Sequence, residues 1–150
     1  MKLTSRQKTD LIKAAKEGMM HAFTATNQPQ DPRFGAAVLT SAGNIYSSGQ
    51  YFSNTLSLTL HAEQGAIAHA AAHGEYGIVA LACLGNAVAY KMSGGIIFPC
   101  HLCKQVLWES YLRSSLNTII YIVDSQWKIT EKFLLVEAMS KPWPLPTARI

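Results

Sequence analysis

The sequence predicts an α/β fold, a three-layer α-β-α sandwich around a mixed five-stranded sheet. Three observations carry that expectation. Residues 34–51 read as a β-hairpin. Two continuous apolar runs, 76–84 and 117–123, have the look of strands buried on both faces. Helical segments alternate with those runs, the arrangement that places helices on a partly parallel sheet. At 150 residues the chain has the size of one domain, 1–150, and can bury a core without disulfide or metal staples.

The elements follow in order. Over residues 4–23, Leu11, Ile12, Ala15, Met19 and Ala22 recur at three- and four-residue steps, so a first helix has one apolar face. Thr4 or Ser5 is its N-cap by residue type. His21 falls near its end, where the helix dipole favours a cation. Residues 25–33, with Asn27, Pro29, Asp31 and Pro32, form a loop. The hairpin pairs 34–40 with 45–51 across Ser41-Ala42-Gly43-Asn44. A helix starts near 58–60, capped by Ser57 or Thr59, and runs to about His73, with Gly74 ending it. Its small residues (Ala62, Ala66, Ala70, Ala71) let it pack closely on both sides, so it is central. Residues 85–95 are a Gly-containing excursion with a short strand expected at 87–90. A helix over 100–113 begins just after Pro99. A short strand at 127–130 and an amphipathic helix at 131–139 close the fold. The tail, 141–150, holds three prolines and Trp143 and is expected at a subunit interface.

Composition excludes several classes of function. No uncharged apolar run reaches the ~18 residues a membrane span requires. Residues 1–6 lead into a charged amphipathic segment rather than a signal-peptide core. A cytoplasmic protein with no membrane partner is therefore expected. The net charge of +4 is mild and its Lys and Arg residues are dispersed, so a nucleic-acid partner is not expected. The cysteine count is three, an odd number. Cys83 lies inside an apolar run and reads as a core thiol. Cys100 and Cys103 form a C-x-x-C pair, which in a reducing compartment points to metal or redox chemistry.

The chemistry gathers at Leu60-His61-Ala62-Glu63 and Pro99-Cys100-His101-Leu102-Cys103. His61, Cys100 and Cys103 can form a three-ligand Zn2+ site, which leaves the fourth tetrahedral position open, as catalytic sites do. Cys100 and Cys103, three apart at a helix start, share one face. Two helix N-termini aimed at the site stabilise thiolates. Glu63 is not needed as a ligand and is free to move protons. A redox C-x-x-C would stand alone after the first strand and has no use for His61-x-Glu63. His69 and His73 are four apart, but no Cys or carboxylate follows at ligand spacing, so they read as structural or solvent-facing.

His-x-Glu followed by Pro-Cys-x-x-Cys is the zinc deaminase signature, and here the chain resembles the cytidine deaminase superfamily over residues 33–109. Phe34 to Gly43 looks like the family's first hairpin, His61 to Ile67 like its zinc helix, and Pro99 to Leu107 like its second ligand helix. In the family the Lys104 position is usually Arg and the His101 position usually Gly. Small members commonly use three Cys ligands with Arg after the catalytic Glu. Neutral His61 with neutral Gln64 is a consistent pair of changes, one fewer negative ligand needing one fewer positive neighbour.

The resemblance implies a cytidine-deaminase-like fold and a zinc-dependent hydrolytic deaminase. Zinc hydroxide would attack the amine-bearing ring carbon of a cytidine-like nucleoside or related heteroaromatic amine, with Glu63 as catalytic proton shuttle and ammonia released. A nucleoside antibiotic or modified base is the alternative substrate, and nucleic-acid base editing a second. Backbone groups beside Ala62 and at Phe98 and Pro99 would hold the amine and ring. The family's ribose-binding Asn-x-Glu falls on Gln50 and Phe52, or on Tyr51 and Ser53, depending on the anchor, and neither placement recovers it. Its stacking Phe falls at Pro32, with Phe34 two residues on. Phe34, Gln50 and Asn54 are thus the remaining substrate-binding candidates. The small branch assembles so that neighbours complete each site, which implies a homo-oligomer, tetramer or dimer.

Overall fold

The computed structural model describes residues 2–142. Trp143 and the rest of the tail, expected at a subunit interface, lie outside the described residues.

The first helix, α1 (Ser5–Met20), starts at Thr4, whose hydroxyl accepts from the Gln7 backbone N–H at 3.2 Å while Gln7 Oε1 accepts from the Thr4 N–H at 2.9 Å. This reciprocal capping box satisfies two donors that a helix start leaves open. Its buried side, Leu11, Ala15 and Met19, is the expected apolar face. Strands β1 (Phe34–Thr40) and β2 (Ile45–Gly49) form the hairpin. After a single 3₁₀ turn at Leu56–Leu58 comes α2 (Ala62–Ala72), then β3 (Ile78–Gly85), α3 (Ala87–Met92) and α4 (His101–Ser114). The chain continues through β4 (Ile119–Val123), β5 (Ile129–Leu134) and α5 (Leu135–Met139).

The five strands run in the order β2-β1-β3-β4-β5. β3 and β4 are parallel, and the other neighbours are antiparallel, so the sheet is mixed as expected. Side chains alternate faces along each strand. Ala37, Leu39, Ala82, Leu84 and Tyr121 face Leu11, Ala15 and Met19 of α1. Ala36, Val38, Leu81, Cys83 and Ile120 face Ala62, Ala66 and Ala70 of α2 and Leu107 of α4. Strand β3 is buried throughout, which explains its unbroken apolar sequence. Because α2 and α4 lie on the same face, their N-terminal ends can meet.

Three boundaries differ from expectation. α2 begins at Ala62 rather than near 58–60, because 51–60 is closed by a backbone bridge between Tyr51 and Leu60. The stretch expected as a strand at 87–90 is the helix α3, since Asn86 caps it through an acceptor bond from the Ala89 N–H at 2.9 Å. Residues 131–134, expected in the last helix, complete β5 instead. They pair Ile122 with Glu131 and Ile120 with Phe133, satisfying the backbone edge that β4 would otherwise leave unpaired.

Candidate active site

His61 is the N-cap of α2, in extended conformation, and Cys100 is the N-cap of α4. The paired bonds Tyr51 N–H to Leu60 O (3.0 Å) and Leu60 N–H to Tyr51 O (2.9 Å) deliver His61 to the helix start. Gln64 Oε1 accepts from the His61 backbone N–H at 2.9 Å. Gln64 therefore holds the His61 backbone in place, a role the charge argument from sequence did not contain.

The Cys100 and Cys103 sulfurs lie 3.6 Å apart, and each lies 3.3 Å from His61 Nδ1. A tetrahedral zinc with ordinary bond lengths sets sulfur–sulfur at about 3.8 Å and sulfur–nitrogen at about 3.6 Å. The observed spacings agree to a few tenths of an ångström. Among the described residues this is the one cluster of three or more such donors. His69 and His73 are not part of it. Their Nδ1 atoms lie 3.2 and 3.0 Å from the carbonyl oxygens of Ser47 and His69.

Electrostatics tie these groups together. The neighbouring Cys103 thiol, then His61, draw Cys100 down to about 4 against the cost of burial. Sharing with Cys100, together with burial, pushes Cys103 up. Hydrogen bonding to Cys100 raises His61. Glu63 is 8% exposed, and burial raises its carboxyl.

Two of the donors, His61 and Cys100, open onto a cavity of about 270 Å³. His61, Glu63 and Cys100 line one part, and Phe34, Gln50 and Ala62 another, so three of the expected substrate residues meet the reaction groups there. Asn54 is exposed and does not line it. Phe98 and Pro99 are buried and do not line it, and Phe98 packs edge-on against Phe133 with ring centroids 5.7 Å apart. Thr59 and Ser93 also line the cavity. Ser93 arrives there because 87–92 is helical, and nothing in the sequence signals it.

The family model for the cytidine and deoxycytidylate deaminase zinc-binding region matches residues 5–119. The chain belongs to this family. The match spans α1 to the start of β4 and contains both halves of the donor cluster, so the metal of this deaminase-family chain is zinc and His61, Cys100 and Cys103 are its candidate site. Solved cytidine deaminases share the fold. That of Burkholderia pseudomallei superposes with a TM-score of 0.72 at 22% identity, covering 94% of this chain and 100% of its own. That of Mycobacterium tuberculosis gives 0.68 at 22% identity, covering 91% and 97%. That of Bacillus anthracis gives 0.64 at 22% identity, covering 91% and 89%. A search of curated protein sequences finds no match. No helix among the described residues is long and apolar enough to cross a membrane.

Proposed function

We propose that the chain is one catalytic domain, a zinc-dependent hydrolytic deaminase acting on an amine-bearing heteroaromatic ring such as that of a cytidine-like compound. The observation that carries this reading is that Glu63 and the donors His61 and Cys100 line one cavity large enough for a ring. His61, Cys100 and Cys103 would hold the zinc, which when bound would supply water acidified to a pKa near 7.

The chain's own residues do the remaining work. Glu63 is buried, lies in the first turn of α2 and is not needed to complete the three donors. The ion pairs among the described residues are exposed pairs within single helices, so none of them engages it. Its carboxylate takes a proton from water and delivers it to a ring nitrogen. It next moves a proton to the departing amine, so that one water is added, one ammonia leaves and the ring carbon becomes a carbonyl. Phe34 and Ala62 line the same cavity, which supports a role for the Phe34 ring against the substrate ring and for the backbone beside Ala62 toward the amine. Leu56, Leu58 and Leu60, in the segment that leads to His61, and Leu102, between the two cysteine donors, are 74%, 63%, 51% and 65% exposed, which supports assembly into a homo-oligomer that covers them.

Ammonia release from cytosine, cytidine, deoxycytidine, adenosine, guanine and modified pyrimidine nucleosides tests the reading, with the Glu63→Ala protein as blank. Turnover of at least one pyrimidine amine, absent from the blank, is expected. Zinc-loaded protein that releases no ammonia from any of them would overturn it. Light scattering on a sizing column tests the assembly, for which a mass of one chain is the contrary result.

A further inference from the structure

Helix α2 carries two further imidazoles, His69 and His73, at its other end. His61 is its N-cap and His73 its C-cap, so at ~1.5 Å per residue the pair lies about 12–18 Å along the helix from the zinc cluster. Both residues are exposed. His69 Nδ1 lies 3.2 Å from Ser47 O, and His73 Nδ1 lies 3.0 Å from His69 O. A carbonyl oxygen can only accept, so each Nδ1 carries the proton and donates. In the neutral ring that leaves Nε2 with its lone pair, as a metal requires. One nitrogen tied to a carbonyl and the other left as a donor is the usual setting of metal-bound histidine.

The two rings are held together as well as oriented. Tyr46 donates its hydroxyl to Glu75 Oε1 at 2.8 Å. Its ring centroid lies 5.1 Å from that of His69 and 4.9 Å from that of His73. Two imidazoles on one tetrahedral zinc, with nitrogens about 2.1 Å from the ion and ring centres about 1.1 Å farther out, have centres about 5.2 Å apart. The His69 and His73 centroids are 5.3 Å apart. The pair stands in the last turn of its helix, the end whose dipole favours a cation. The carboxylate of Glu75, fastened to the same Tyr46, adds negative charge nearby.

We propose that His69 and His73 form a second metal site, an i, i+4 pair that takes one divalent ion of the imidazole-preferring class, zinc, nickel or copper, through the two Nε2 atoms. Two neutral donors with water completing the shell make a weaker site than His61, Cys100 and Cys103. It therefore fills only when zinc is supplied beyond one per chain. The pair is independent of the reaction assigned to the other cluster, so inactive protein tests it equally well.

Calorimetric titration with further zinc of protein already holding one zinc per chain supplies the test. A second event of one ion per chain is expected. His69→Gln and His73→Gln should each weaken it by at least about 10-fold, since even an outer partner of a metal-bound imidazole is worth about 10- to 100-fold. Retention of the first zinc in both variants, by elemental analysis, shows that they fold. In NMR spectra the ring protons of His69 and His73 should shift with the second equivalent, while those of His21 and His101 stay in place. A wild type with no second event would overturn the proposal. So would a second event of unchanged strength in both variants, which would put the ion on other groups.

Discussion

Lys104, the residue after the candidate zinc donor Cys103, is 1% exposed and donates from its ammonium to the carbonyl oxygen of Ala138 at 3.1 Å. A second donor bond reaches Lys141 O at 2.5 Å. The first turn of α4, which carries Cys100 and Cys103, is thus fastened to the end of α5. Burial lowers the Lys104 pKa, and the carbonyls supply the partners an interior ammonium requires. Lys104→Met should leave both carbonyls without that donor and cost about 1–3 kcal/mol, read as a lower urea midpoint. Lys104→Arg, which keeps the charge and the donors, should recover most of the loss. An unchanged midpoint in Lys104→Met would show the anchor to be dispensable.

The proposed role of Glu63 is to move protons without completing the metal site, and the three-donor cluster of His61, Cys100 and Cys103 does not include it. Glu63→Gln should lower the rate of ammonia release by about 100- to 10,000-fold, the range for general acid–base groups, while zinc stays at one per chain by elemental analysis. Loss of zinc in this variant would assign Glu63 to the metal rather than to the proton path.

Zinc should also stabilise the fold, because the three donors converge from helix starts that lie far apart in the chain. With free zinc about 1,000-fold above its dissociation constant, linkage gives about 4 kcal/mol. A chelator should lower the melting temperature of the wild-type protein and leave Cys103→Ser unmoved, since that variant lacks one of the three donors. Equal shifts in both proteins would be the contrary result.

Asp31 predicts a pH dependence set away from the metal site. Its carboxylate accepts from Thr24 Oγ1 at 2.6 Å, from the Thr26 N–H at 2.9 Å and from Thr26 Oγ1 at 2.8 Å. The Thr24 bond leads in pulling its pKa from 3.8 to about 2. A lowered folded-state pKa means the contribution is present above the ordinary carboxylate range and disappears as pH falls through the folded value. The stability gap between wild type and Asp31→Asn should hold steady from pH 7 to 5 and close between about pH 4 and 2. A gap that closes near pH 6 would point to a different group.

Gly18 is a point of close approach between α1 and the sheet. A Cβ there would sit 2.5 Å from Ser48 O and 2.7 Å from Ser48 C, both backbone atoms of β2 that cannot rotate away. Gly18→Ala gains helix propensity, yet overpacking should dominate and cost about 1–3 kcal/mol by chemical denaturation. A stabilised variant would mean that α1 can lift off the sheet cheaply.

Much of this was readable from local pattern. His61-x-Glu63 and Pro99-Cys100-x-x-Cys103 identify the metal chemistry because ligand types and helical spacing are short-range properties. The apolar runs of β3 and β4 mark buried strands for the same reason. Residues 87–90 and 131–134 have the local pattern of a strand and a helix but fold as helix and strand, because their state depends on neighbours beyond the pattern: Asn86 capping one, and the open edge of β4 claiming the other.

The substrate pocket belongs to the second kind of information. Gln50 could be named from its position, but its carboxamide lies bonded to Phe34 N and Pro32 O, a pairing across the hairpin that sequence spacing does not reveal. Ser93 reaches the cavity through a helix the local pattern did not show, and Gln64 works as a cap on His61. Donor identity and spacing are written in adjacent residues, so the amino-acid order alone points to the zinc chemistry. Which polar atoms the protein itself holds depends on hydrogen bonds formed only when distant segments fold together, and that was settled by the packed structure.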